Sequence, residues 1–267
     1  MKQSPACIAM AQAFLTEDLN FVLDHVIRVL VVRKQNHLDP AFQRELQEFV
    51  NPNRERKILQ IVGDGAPFSK FGETKADLIL RQFLGDNAES AILWGYTGSA
   101  GPGRDINQIL NDWIDENPPQ RSPRCFANIV DKGTIRAIRD WGCRYPEQPA
   151  PQRNFIAMIG DAEFGDDIAL SDSMTDHLIV FEGGLQSFEQ AVNCLKRNCK
   201  ITIIDGLRTE ERRSHFSAAH FIRRIISNDA DEYIGLMTEK QRASIKPGFE
   251  RLQLISSNLA ECVTIID

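Results

Sequence analysis

His177-LIVFEGGLQSFEQAVNCLKRNCKITII-Asp205 reads as a strand, a glycine turn, a helix and a second strand. Leu178 to Phe181 is continuously apolar, as a strand covered on both faces requires. Phe188, Ala191, Val192 and Leu195 then recur at three- and four-residue steps, the period of one buried helical face. The period changes again at KITII. Two strands joined through a helix of this length predict parallel pairing with a crossover. Ser187 and Gln190 have the spacing of a capping box, so the helix is expected to start at Ser187. Glu189 would then fall in its first turn, where the helix dipole favours an acid.

The same alternation extends in both directions. KILQIV precedes a helix through Leu78 to Phe83, and AILW precedes one through Ile106, Ile109, Leu110 and Trp113. CFANIV precedes a helix from Ile135 to Trp141; after a proline-rich break, NFIAMI is followed by a short polar segment. Past Asp205 the pattern predicts a helix around Phe216 to Ile226, more helix, and a last strand at Cys262 to Ile266. The expected fold class is therefore α/β: a Rossmann-like parallel sheet flanked by helices, over residues 57–267.

Residues 1–56 are expected to form an N-terminal helical extension. Leu19, Val22, Leu23, Val26, Ile27, Leu30 and Val31 fit a helical face. Asp39-Pro40 matches an N-cap with proline at the first helical position, leading a helix that carries Phe42, Leu46, Phe49 and Val50. Val29 and Val32 widen the first face. That width fits either a homo-oligomer interface or packing against the chain's own sheet.

The composition is that of an ordinary globular chain, with 42% hydrophobic and 25% charged residues among 267. A net charge of -6 argues against general nucleic-acid binding, which calls for a basic surface. One small phosphorylated ligand needs only a few donors and stays open. The six cysteines are scattered, without the paired spacing of a disulfide framework or a zinc site, and no metal or cofactor is expected. The N-terminus lacks the pattern of a secretory signal, and no stretch is apolar for long enough to span a membrane. A cytoplasmic location is expected by default.

Ligands of open α/β sheets settle at the carboxyl ends of the strands. Four glycine turns are expected there: Gly63-Asp64-Gly65; the loop from Gly95 to Arg104, with Thr97 and Gly98; Gly160-Asp161; and Glu182 to Gln190. Glycine lets backbone N–H groups approach a phosphate without a β-carbon in the way, and a following helix adds unbonded N–H groups. The ligand-binding candidates are Gly63, Asp64, Gly65, Gly95, Thr97, Gly98, Arg104, Gly160, Asp161, Gly183, Gly184, Gln186 and Ser187. Together they predict a pocket for a nucleotide or nucleotide-sugar.

The order of these turns resembles the LOG (lysine-decarboxylase-like) branch of the SLOG superfamily, whose signature is a strand followed by PGGxGTxxE. Gly183 and Gly184 match its glycines, Ser187 replaces its threonine, and Glu189 is read as its glutamate; Glu182 and Gln186 depart from it. The resemblance spans roughly residues 57–205. It implies a Rossmann-like fold and an N-glycosidic hydrolase of nucleoside monophosphates, with Glu189 as catalytic residue and an upstream arginine as its partner. No lysine or arginine lies between Asn154 and Lys196, so a phosphate would depend on Arg104, Arg136 or Arg139 from other turns. Three readings follow: a domain that binds or senses a nucleotide or nucleotide-sugar, a phosphoribohydrolase-like enzyme, and a non-catalytic interaction protein using its N-terminal helices.

Overall fold

The run VIRVLVVR forms a strand, and not the helix that its apolar spacing predicts. Five of its eight residues are β-branched, which costs rotamer freedom in a helix and suits a pleated sheet. A continuous apolar run satisfies both periods, so spacing alone misreads it. A face combining Leu19 with Val29 and Val32 on one helix is thereby ruled out, and the interface argument loses its basis. The sheet also begins well before Lys57.

The computed structural model describes residues 26–33, 39–50, 57–63, 68–87, 90–95, 106, 109–110, 112–113, 116–117, 126–130, 153–159, 166–212, 215–254 and 259–266. In chain order its elements begin β1 (Val26–Arg33), α1 (Pro40–Val50), β2 (Ile58–Gly63), α2 (Lys70–Asp86), β3 (Ala91–Gly95), β4 (Phe126–Val130) and β5 (Arg153–Ile159). They continue with α3 (Asp166–Met174), β6 (His177–Phe181), α4 (Leu185–Lys196), β7 (Lys200–Ile204) and α5 (Ala218–Ile226). The chain ends with α6 (Ala230–Gly235), α7 (Glu239–Leu254), α8 (Leu259–Cys262) and β8 (Val263–Ile266).

The described residues fall into two compact units. One takes those within Met1–Ile58, Asn87–Ala100 and Leu110–Met174; the other takes those within Leu59–Asp86, Gly101–Ile109 and Thr175–Asp267. In the first unit, the strands run parallel in the order β1-β5-β4-β3, with Val29 beside Phe155, Ala127 beside Asn154 and Leu93 beside Ala127. In the second the order is β2-β6-β7-β8, again parallel. The fold class is thus α/β, Rossmann-like, with parallel sheets flanked by helices.

Local chemistry sets the helix starts. Asp39 accepts the Ala41 N–H through Oδ1 at 2.7 Å, so the predicted cap and proline do open α1. Ser69 does the same for α2, accepting the Gly72 N–H at 2.9 Å. The polar segment after NFIAMI is a helix, α3, that its composition concealed. Ser171 and Ser173 donate to the carbonyls of Ile168 and Leu170, three residues back, which absorbs their hydroxyls within the helix. Its buried face therefore includes Ser171 and Asp172 beside Leu170 and Met174, and no apolar period shows.

The described core of the second unit is apolar on the faces of both sheet and helices. Val62, Leu178, Val180, Ile201 and Ile203 meet Ala191, Val192 and Leu195 of α4, and Phe221 and Ile222 of α5. Each of these side chains larger than alanine contributes roughly 1.5–3 kcal/mol on burial. Phe188 packs on Phe216 and Phe221 with ring centroids 5.9 and 5.2 Å apart. A β-carbon on Gly248 of α7 would stand 2.7 Å from the Phe188 ring, so the two helices close through that glycine. Among the described residues, no helix is long and apolar enough to cross a membrane.

Candidate ligand site at the carboxyl end of the sheet

Register brings three strand ends of the second unit to one level: Gly63, Phe181 and Ile204. Glu182 follows with φ 57° and Gly183 with φ 76°, so the chain turns sharply off β6. A β-carbon on Gly183 would lie 2.5 Å from that of Ser187 and 3.0 Å from Val180 Cγ1, which makes glycine obligatory. Gly184 differs. Its φ of -95° suits any residue, and a β-carbon there would meet nothing within 4 Å among the described residues.

Helix α4 begins at Leu185 with Gly184 as its N-cap, two residues before the predicted start at Ser187, and no side chain caps it. Ser187 is buried against Gly183, so its hydroxyl lies inside the turn and off the helix end. The first helical bond is Phe188 N–H to Gly184 O, at 3.1 Å. The N–H groups of Leu185, Gln186 and Ser187 precede it and have no intrahelical carbonyl. Gln186 is exposed beside them.

Glu189 falls outside the first turn. It is 62% exposed and lies 3.8 Å from Arg251 of α7. Counted residue by residue, moreover, PGGxGTxxE placed on Glu182 brings its glutamate to Gln190, not Glu189. Gln190 is buried in α4 and carries an amide, which cannot offer the full negative charge that a developing ribosyl cation needs.

Glu182 stands where the signature has proline, and its surroundings account for it. The side chain is 3% exposed. Oε1 accepts the Leu207 N–H at 2.7 Å and Oε2 accepts the Ser217 hydroxyl at 2.7 Å. Arg208 Nε is 3.7 Å from Oε2, while its other nitrogens donate to the carbonyls of His215, at 2.7 Å, and Phe216, at 2.9 Å. Ala218 and Ala219, opening α5, donate to the carbonyls of Gly183 and Glu182. One buried carboxylate thus ties the β6–α4 turn to the loop after β7 and to the start of α5.

Asp205, the next residue after β7, forms a second polar centre. Its Oδ2 is 2.8 Å from His220 Nδ1 and 3.7 Å from Arg223, and Oδ1 accepts the Gly206 N–H at 2.7 Å. Lys75 of α2 donates to its backbone carbonyl at 2.9 Å. Burial pushes the Asp205 carboxyl up, but the His220 hydrogen bond and charge, the Gly206 N–H and Arg223 outweigh it and hold the pKa below 3.8. A depressed carboxylate contributes stability that is present above its unfolded pKa and lost as pH falls through the folded value. Asp205→Asn should therefore lower the urea midpoint at neutral pH and flatten its decline below about pH 4. Midpoints measured in pH steps check this; a decline as steep as wild type refutes it.

Two of the remaining predicted residues end strands among the described residues. Gly63 ends β2 beside Phe181, close to Gly183 in register, whereas Gly95 ends β3 in the other unit, level with Ile129. Asp64, Gly65, Thr97, Gly98, Arg104, Gly160 and Asp161 lie outside the described residues, as do Arg136 and Arg139. Glu182, Asp205, Arg208, Ser217 and His220 escaped the sequence reading. One signal was available: Asp205-Gly206 follows KITII just as Asp64 follows the strand end at Gly63, a fifth turn of the same kind.

No family model matches the chain, and no curated protein matches it. Among solved structures it is similar to the molybdenum cofactor carrier protein of Chlamydomonas reinhardtii at 10% identity, covering 66% of this chain and 86% of that one, with TM-score 0.37. It is similar to the molybdenum cofactor binding protein of Rippkaea orientalis at 12% identity, covering 66% and 87%, with TM-score 0.38. A second structure of the Chlamydomonas carrier gives 13% identity over 74% and 99%, with TM-score 0.37.

Proposed function

We propose that this protein binds a small phosphate-bearing ligand, a nucleotide or nucleotide-sugar, at the carboxyl end of the β2-β6-β7-β8 sheet. The phosphate sits at the start of α4, over Gly184, and Gly63 flanks it from the neighbouring strand. The observation that carries this is the open space at Gly184, a helix N-cap without a side-chain cap and, among the described residues, with no atom within 4 Å of where a β-carbon would be. Gly183, crowded and at positive φ, is required by the turn itself. Lys75 and Arg223 meet at the end of β7 in the same sheet and supply positive charge there, where the segment upstream of β6 has none.

Binding is favoured over N-glycosidic hydrolysis on specific grounds. The signature's glutamate is replaced by Gln190, and no lysine or arginine precedes β6 back to Asn154. Glu189, the sequence-level candidate, faces Arg251.

The test is a thermal-shift panel of nucleoside monophosphates and nucleotide-sugars on wild type and Gly184→Ala. A ligand at a hundredfold excess over Kd stabilises by about 2.7 kcal/mol, several degrees in a chain of this size. Gly184→Ala should cost under about 1 kcal/mol without ligand and abolish the shift. Equal shifts in the two proteins would remove Gly184 from the site, and no shift with any ligand would sink the proposal.

A further inference from the structure

We propose that His220 is a proton-operated latch on Arg224. The guanidinium Nε of Arg224 always carries its hydrogen near neutral pH, and it lies 3.2 Å from His220 Nε2. Nε2 is therefore the accepting nitrogen. The single ring hydrogen of the neutral imidazole is then on Nδ1, donated to Asp205 Oδ2 at 2.8 Å. Both ring nitrogens are thus committed, one to an acid after β7 and one to a base a helical turn further along α5.

Protonation changes one of these bonds and keeps the other. A second ring hydrogen on Nε2 would face the Arg224 Nε–H, setting donor against donor and cation against cation. The bond to Asp205 gains charge and persists. Arg224 has somewhere to go, because Asp229 Oδ2 already pairs with its terminal nitrogen. The guanidinium turns from the ring to Asp229 and exposes its Nε–H to water.

The other charges around the ring favour this division. Arg223 of α5 lies 3.7 Å from Asp205, and Lys75 of α2 bonds the Asp205 carbonyl, so the acid is held from several sides. Asp229 and Glu232 both act on Arg224. Tyr233 of α6 meets the imidazole ring at 5.0 Å between centroids, and its hydroxyl accepts the Ser217 N–H, so it offers the ring apolar contact. The hinge of the device is the single contact between His220 and Arg224, whose side chain is 35% exposed and free of the core.

The experiment is nitrogen-15 NMR of the full chain, labelled at histidine and arginine, between about pH 8 and pH 5. At the upper end His220 should show the Nδ1–H tautomer, with the Arg224 Nε–H protected relative to free arginine at the same pH. At the lower end that protection should fall by about tenfold, the loss of one hydrogen bond. His220→Gln offers a carbonyl acceptor at every pH, and its Arg224 protection should not depend on pH. An Nε2–H tautomer in wild type at the upper end overturns the proposal. So does a protection change in His220→Gln as large as that of wild type. The tautomer reading needs no variant to fold.

Discussion

Glu182→Ala is expected to destabilise the second unit by about 3–5 kcal/mol, the usual cost of removing one partner from a buried charged pair. Urea unfolding followed by far-UV circular dichroism would show it as a large fall in midpoint. The carboxylate serves three groups at once: the Leu207 N–H, the Ser217 hydroxyl and the Arg208 guanidinium. Alanine leaves the first two without their acceptor and Arg208 with its charge buried at 5% exposure. Little compensation comes from the backbone. Glu182 sits at φ 57°, and alanine is no better suited to that conformation than glutamate.

A double replacement separates the charge from the hydrogen bonds. Glu182→Gln with Arg208→Met removes both charges and keeps an amide oxygen for Leu207 or Ser217. It should lose less than the sum of the two single replacements, because each single replacement strands a buried charge and the double replacement strands none. Strict additivity would mean that the 3.7 Å contact contributes nothing, and that the hydrogen bonds alone hold the turn.

What could be read in the sequence follows from what kind of force made each element. The β6–α4–β7 unit was legible because burial wrote it: HLIVF and KITII are apolar throughout, and α4 keeps a helical face. The cap at Asp39 was legible because it is local, spanning two residues. β1 was misread because a β-branched apolar run fits two periods, and only its pairing with β5 decides between them. α3 was missed because its serines satisfy themselves within the helix, so polarity no longer marks a loop. Of the site, Gly183 and Gly184 stood out by type, but their different duties did not. Only space around each shows that one glycine is demanded by the fold and the other is not. Glu182 was invisible as a brace, since its partners lie 25 and 35 residues away.

Gly72→Ala should rank beside Glu182→Ala in cost, although it adds only a methyl group. The new β-carbon would stand 2.0 Å from the Leu207 carbonyl oxygen and under 3 Å from two more backbone atoms of that residue. Backbone on both sides leaves no flexible side chain to yield, so α2 must retreat. Retreat breaks the bonds from the Ser69 N–H, at 2.8 Å, and the Ser69 hydroxyl, at 3.2 Å, to the same carbonyl. Overpacking costs about 1–3 kcal/mol or more and each lost hydrogen bond about 1, so about 3–5 kcal/mol is expected in all. Gly85 in the same helix has nothing within 4 Å, and Gly85→Ala should be neutral or stabilising by up to about 1 kcal/mol. A Gly72→Ala change as harmless as Gly85→Ala would show that helix propensity, not contact with Leu207, governs α2. The contact also reaches the candidate site, because the N–H of this same Leu207 is what Glu182 Oε1 holds. Gly72→Ala and Glu182→Ala therefore disturb one residue from opposite sides, and combining them should cost less than their sum.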